Sequence, residues 1–363
     1  MDPLTHIVVG RAVVAAADRH EPARRGVAWA AILGALSPDV DAAVALSGWD
    51  RYVRVHEIGT HSILGALAMA CLTAIVVKTV ARFRGGDPTR RGGPVCPPAT
   101  EGRHMGRPLQ AGFGALLGAA TAGAMSHIVL DVVSGARIRV GWPIVPNVVT
   151  LPLVAMADPW LIAICVAGLL ALTPGRQRLR TVSRALLAGA IVLLGIKGVL
   201  LARALRASNF SSVPLMAVDA QWGSLTEWQV FERTPTELRA WSVNARGGPP
   251  TIVMREALGP ETPLGPETPL VRISRSLDAV QNFLAVHEFA FPVEKPAELG
   301  RTEVLWSDLR YCWHTRPDDA PLVRTGGSIS CGVWAGALFG TDSLPLTQLV
   351  KVGVVTQTRP VRR

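Results

Sequence analysis

Apolar runs long enough to cross a bilayer fill the first 205 residues and stop there. Ile58–Val77 and Pro108–Leu130 each approach the ~20 residues a helix needs to traverse hydrocarbon. Pro159–Gly175 is near the short limit, and Ala185–Ala202 qualifies when its one cation, Lys197, snorkels or faces protein. Gly26–Trp49 is apolar but interrupted by Asp39 and Asp41. The pattern predicts five crossings, near 27–48, 61–81, 110–133, 158–174 and 185–203, after a short amphiphilic helix over 4–17. From residue 213 the rhythm changes. Short β-like stretches (Thr226–Phe231, Arg239–Asn244, Thr251–Arg255, Leu270–Ile273, Glu303–Leu309, Leu349–Thr356) alternate with turn residues such as those at 247–250, which is the pattern of an antiparallel sheet. A helix is expected over Ser276–Val286. The fold class is therefore a membrane α-helical bundle, residues 1–205, followed by a β-rich α+β domain, residues 206–363.

Composition and charge narrow the function classes. Mean hydropathy is +0.31 and only 18% of residues are charged, against about 25% in a soluble domain. An ordinary cytosolic enzyme and a disordered chain are both poor readings. Residues 206–363 carry 16 basic and 16 acidic side chains, so the net charge of +10 resides in the apolar half. Basicity combined with apolarity points to a membrane. A nucleic-acid partner would need a polar basic face with base-reading residues, and none is seen. Met1–His6 has no basic n-region and is not read as a secretory signal peptide. The arginine-bearing loops 18–26, 82–109 and 175–184 alternate with the crossings and are expected to be cytoplasmic. That places the β-rich domain outside the cytoplasm, although Arg203 and Arg206 lean the other way.

Several local features add little chemistry. Cys71, Cys165 and Cys96 are expected to be free thiols. Cys312 and Cys331 are either a disulfide in an oxidising compartment or two separately buried thiols. The hexapeptide Leu-Gly-Pro-Glu-Thr-Pro, repeated over 258–269, is too short for a solenoid and reads as a duplicated loop. His287 and His314 lack any ligand pattern and read as core or surface residues.

The chemistry lies among ionisable residues in and beside the spans, where each costs roughly 2.5–3.5 kcal/mol to insert. His6 opens the first short helix. Asp39 and Asp41 interrupt the first crossing, and His56 and His61 lead into the second. His127 and Asp131 stand at i and i+4 on one face of the third, and Asp158 opens the fourth. By the alternation of crossings, all of them fall at the same membrane face. Histidines and aspartates without cysteine describe a nitrogen and oxygen metal site suited to Zn, Mn or Fe, with enough ligands for more than one ion. Such metals activate water for hydrolysis, and Arg51 and Arg54 beside the site would suit a phosphate-bearing substrate. Each residue also has a plainer role available. In that plainer reading His6 is a surface residue at a helix start, Asp39 and Asp158 are helix caps, and His127 with Asp131 is a buried hydrogen-bonded pair. Glu57 is a candidate general base, or a solvated carboxylate pairing with Arg54.

Thr5-His6, Gly34-Ala35-Leu36-Ser37-Pro38-Asp39-Val40-Asp41, His56…Thr60-His61-Ser62 and His127-x-x-Leu130-Asp131 resemble the YdjM/YfhP-type family of membrane-bound, metal-dependent hydrolases, also described as LexA-binding, inner-membrane-associated hydrolases. The resemblance covers roughly residues 1–205. It implies a helical core like that of zinc-dependent phospholipase C and P1-type nucleases, in the bacterial inner membrane. One departure stands out: Glu57-Ile58-Gly59 occupies the place where the family has His-Arg-Gly before Thr-His-Ser. The reading is an integral membrane hydrolase with His6, Asp39, Asp41, His56, His61, His127, Asp131 and Asp158 as metal ligands and Asp39 and Glu57 as catalytic carboxylates. Its substrate would be an ester, foremost a lipid or lipid-linked phosphoester. The rival readings are an ion or metal transporter, with Lys197 deeper in the spans, and an adaptor with a structural metal.

Overall fold

The computed structural model describes residues 1–17, 25–56, 58–84, 111–145, 147–171, 176–208, 216–234, 237–257, 268–314, 329–331, 333–352 and 355–361. They form two compact units. One comprises Met1–Val40, Glu57–Leu151 and Met156–Leu194, and the other Asp41–His56, Pro152–Ala155 and Gly195–Arg363.

Among the described residues the chain opens with helices: α1 (Pro3–Ala17), α2 (Arg25–Leu36) continued by a 3-10 helix (Ser37–Ser47), α3 (Trp49–Val55), α4 (Ile63–Arg84), α5 (Phe113–Val133), α6 (Pro159–Ala171) and α7 (Arg176–Ser208). Among the described residues, four helical stretches are long and apolar enough to cross a membrane: Gly26–Ser47, Ile63–Phe83, Phe113–Val133 and Leu179–Ser208. The expected crossing over 158–174 corresponds to α6, which has 13 residues. That length rises only about 20 Å, short of the ~30 Å of hydrocarbon. Residues 172–175 lie outside the described residues, as does the basic loop 85–110.

In the first unit, α5 is the centre, packed by α1, α2 and α4. The interface is built from alanine and glycine: Ala30 and Ala31 of α2, Ala66, Ala70 and Ala74 of α4, and Ala119, Ala120 and Ala124 of α5 are buried together. Lipid tails are as apolar as leucine, so membrane helices associate through small residues that let backbones approach. The approach here is close. A Cβ added at Gly34 would stand 2.3 Å from the Ala120 carbonyl oxygen, and one at Gly123 would stand 2.2 Å from that of Ala31. The buried stripe of α5 runs Leu116, Ala120, Gly123, Ala124, His127 and Asp131, so helical periodicity alone turns both polar residues inward.

In the second unit, β1 (Met216–Ala220), β2 (Glu227–Arg233), β3 (Glu237–Asn244) and β4 (Thr251–Ala257) form an antiparallel meander. A second antiparallel sheet has the order β11 (Val355–Pro360), β10 (Pro345–Val352), β9 (Val333–Phe339), β6 (Thr302–Asp308), β5 (Ala290–Pro296). Helices α8 (Pro269–Arg275) and α9 (Asp278–Leu284) cover it, burying Val271, Val280 and Phe283 against Trp306 and Phe339. The strand expected over Leu270–Ile273 is thus a helix. Thr268 caps it by accepting from the Val271 N–H at 3.3 Å, and Pro269 stands at its first position, a pairing that starts helices rather than strands. The stretch expected as one strand over Leu349–Thr356 spans two, β10 and β11. The short strands β7 (Cys312–His314) and β8 (Ile329–Cys331) pair with Cys312 opposite Cys331, and Cys312 is disulfide-bonded. Cys71 and Cys165 are free thiols. Cys96 and residues 258–267 of the repeat lie outside the described residues.

Candidate metal centre

Four segments of the first unit deliver side chains to one point. His6 lies on the buried face of α1, whose first turn is capped by Asp2: its Oδ1 accepts from the Thr5 N–H at 2.9 Å and its Oδ2 from the Thr5 hydroxyl at 2.7 Å. Asp39 follows the break after α2, where Pro38 cannot continue the α-helical ladder. His61 sits in a tight loop before α4. There Ser62 caps the helix by accepting from the Gly65 N–H at 3.0 Å while donating to the Gly59 carbonyl at 2.7 Å. Gly65 is required by this fold-back, since a Cβ there would stand 2.0 Å from the Gly59 oxygen. His127 and Asp131 occupy the last turns of α5.

The convergence is tight. Asp131 is the hub: its Oδ1 lies 3.2 Å from His6 Nε2, and its Oδ2 lies 2.9 Å from His127 Nε2 and 3.7 Å from His61 Nε2. Asp39 Oδ1 lies 3.4 Å from His61 Nε2 and 3.5 Å from His127 Nε2. The Met1 amino group donates to Asp131 Oδ1 at 2.5 Å. His6, His61, His127 and Asp131 are buried, and Asp39 is 35% exposed. Two sets of three groups, His6–His127–Asp131 and Asp39–His61–His127, bring ligand atoms within 4.8 Å of one another.

Hydrogen bonding identifies which ring atoms face the centre. The Ala35 carbonyl lies 2.7 Å from His127 Nδ1 and can only accept, so Nδ1 carries the proton. That leaves Nε2 as the ring atom that faces the Asp131 carboxylate, at 2.9 Å, and His61 Nε2, 3.2 Å away. The Thr60 hydroxyl stands 3.1 Å from His61 Nδ1 on the outer side of that ring. Both ring nitrogens of His6 are buried without a hydrogen bond, although His6 stacks on His127 with centroids 3.8 Å apart. Lone pairs and carboxylates facing one another in a buried site repel unless a cation or protons lie among them. Ligands bound tetrahedrally at ~2.0–2.1 Å stand roughly 3.3 Å apart, close to the separations of His61, His127 and Asp39. These residues can hold a metal ion, and the oxygen partners of the two Nδ1 atoms are the usual outer support of metal-bound histidine.

The remaining expected site residues are placed as follows. Asp41 and His56 belong to the second unit, where His56 Nδ1 lies 3.0 and 3.1 Å from the two Asp41 oxygens. Asp158 is buried and its Oδ1 accepts from the Trp160 and Leu161 N–H groups at 3.0 and 3.2 Å, so it caps α6. Among the described residues it is in none of the metal-compatible groups. Glu57 lies outside the described residues. Arg54, expected to face an anionic substrate, donates instead to Asn282 Oδ1 at 2.9 Å. The sequence reading missed Ala35 and Thr60 as orienting groups. Thr60 was readable as the neighbour of His61, whereas a backbone carbonyl leaves no mark in sequence.

A buried cluster of histidine and aspartate at the ends of apolar, membrane-length helices defines a membrane protein with a metal-compatible centre. The chain belongs to the YdjM inner membrane protein family, whose model matches residues 1–204. No curated protein and no solved structure matches the chain.

Proposed function

We propose that this protein is a metal-dependent hydrolase of the bacterial inner membrane, its centre formed by His6, Asp39, His61, His127 and Asp131 in the first unit, and that Asp41 and His56, paired within the second unit, are metal ligands as well. One observation carries the reading: three imidazoles and two carboxylates from four segments bring ring nitrogens and carboxylate oxygens within 4.8 Å of one another in two sets that share His127. The donor set suits Zn, and also Mn or Fe, in one ion or more. When bound, the metal would supply the Lewis acidity that polarises an ester and acidifies water. The chain's own residues supply orientation and proton handling. Ala35 and Thr60 hold the rings of His127 and His61. Asp39, the one partly exposed carboxylate of the cluster, is placed to take a proton from entering water. Asp131, buried among the histidines, supplies the balancing negative charge. Glu57 is a second candidate base. The lipid–water boundary favours a lipid or lipid-linked phosphoester as substrate, and the arginine-bearing loops support a β-rich domain outside the cytoplasm.

The test is elemental analysis of the detergent-purified full chain together with a phosphoester panel. The wild type should carry a transition metal and hydrolyse at least one phosphoester. His61→Ala and Asp131→Ala should lose the metal, and Asp39→Ala should lose hydrolysis while staying folded. A metal-free wild type under non-chelating conditions overturns the reading. Bound metal without hydrolysis of any ester would favour transport or a structural role.

A further inference from the structure

The second unit contains a connection that runs from the β-rich domain to the His56–Asp41 pair. Helix α3 has seven residues, too few to be stable in isolation, so tertiary anchors must hold it. Three come from the β-rich domain. The Trp49 N–H donates to Gln357 Oε1 at 2.8 Å, and the Trp49 side chain packs on the core beneath α9 and β9. Asn282 of α9 then uses both ends of its amide: Nδ2 donates to Asp50 Oδ2 at 2.7 Å, and Oδ1 accepts from the Arg54 guanidinium at 2.9 Å. Asp50 is 2% exposed, so that bond is shielded from water. From this anchor the path continues inside α3. The Trp49 and Tyr52 rings meet edge to face, and Tyr52 lies over the His56 ring with centroids 4.6 Å apart. The His56 N–H donates to the Tyr52 carbonyl at 2.8 Å, and His56 Nδ1 faces Asp41.

We infer that Asn282 is a positioning residue through which the β-rich domain sets the geometry of His56 and Asp41, making metal loading depend on that domain. The inference rests on the proposed role of Asp41 and His56 as ligands. The Asn282 amide donates to Asp50 through its nitrogen and accepts from Arg54 through its oxygen, so an isosteric carboxylate keeps the shape but loses the donor. The family match ends at residue 204, so Asn282 and Gln357 control this helix from outside the region that defines the family.

The experiment uses the full chain in detergent with Asn282→Asp, Asp50→Asn and both together. Asn282→Asp sets two carboxylates face to face. The double substitution restores a donor opposite an acceptor and leaves Arg54 its partner. Zn²⁺ affinity and amide hydrogen exchange over residues 49–56 are measured for each. Asn282→Asp should weaken Zn²⁺ binding by about tenfold, the scale of an outer-support residue, and should accelerate exchange over 49–56. The double variant should recover both. Unchanged affinity in Asn282→Asp overturns the inference, as does failure of the double variant to recover, whether exchange rises in α3 alone or throughout the β-rich domain. A wild type that binds no Zn²⁺ overturns the metal reading and with it the control of loading, while recovery of exchange in the double variant still shows that the clamp itself is real.

Discussion

Both halves of the molecule bury a histidine against an aspartate, and the two arrangements differ in what else arrives. In the β-rich domain, His287 Nδ1 lies 3.0 Å from Asp308 Oδ2, and Asp308 Oδ1 accepts from the Arg310 N–H at 2.9 Å. Phe283 stacks on the imidazole with centroids 4.0 Å apart. One ring meets one carboxylate whose second oxygen is already used in a turn. In the helical half, Asp131 is shared by three imidazoles, and Asp39 approaches two of them. A buried His–Asp pair is thus an ordinary structural device. What sets the helical site apart is that several possible ligand atoms from separate segments converge on one point.

The largest expected effect tests that contrast directly. His127→Ala should lower metal affinity by about a hundredfold or more, beyond the range of outer-support residues. His287→Ala should leave metal content unchanged and cost about 1–3 kcal/mol by stranding a buried Asp308 oxygen. Elemental analysis with thermal melts separates the two, and equal metal loss in both variants would erase the distinction. Next in size is Gly123→Val. The added side chain must displace the Ala31 backbone, at about 1–3 kcal/mol, and by moving α2 it should also reduce metal content, whereas the same loss of stability placed in the β-rich domain should not.

A comparable stability effect is expected from Arg310→Met. Burial works against the Arg310 charge, but the two-pronged ion pair with Asp219 (2.9 and 2.7 Å) outweighs it and raises its pKa well above the usual value. Losing this pair should cost about 2 kcal/mol, read by denaturant unfolding, with no change in metal content. The smallest effect is a pH dependence confined to the β-rich domain. Burial opposes the Glu237 charge, but the hydrogen bond from Arg239 and the charges of Arg239 and Arg255 outweigh it and lower its pKa. The folded value then lies below the unfolded ~4.3. This stabilisation is present above about pH 4.3 and lost as pH falls through the folded value. Solvent screening keeps it under about 1 kcal/mol. Glu237→Gln should flatten that part of the acid limb, and an unchanged acid limb would remove Glu237 from the account.

Legibility differed between the halves for physical reasons. Four membrane-length helices were visible as apolar runs, because hydrocarbon demands length and the absence of charge. The segment expected over 158–174 contains α6, and its last residues, 172–174, lie outside the described residues. In the β-rich domain, period-two patterns located β2, β3, β4 and β6. Leu270–Ile273 was misread because a short apolar stretch fits either strand or helix, and the cap at Thr268–Pro269 decides between them. At the candidate site, the polar interruptions marked every residue of the five-member cluster, since each stands out against an apolar background. The same signal also marked Asp158, whose capping role is equally polar and local.

The sequence by itself determined that the first half is an apolar helical array, that its few histidines and aspartates are exceptional, and that His127 and Asp131 share a face. Helical periodicity and the cost of polar groups in hydrocarbon are local constraints, readable without knowing any neighbour. The tertiary structure decided which of these residues meet. Glycine and alanine contacts bring α2 against α5, so that the Ala35 carbonyl reaches His127. A fold-back at Gly65 aims His61, and Asn282 anchors a helix more than two hundred residues earlier in the chain. Such meetings depend on distances between segments remote in sequence, and those distances exist only once the chain is packed.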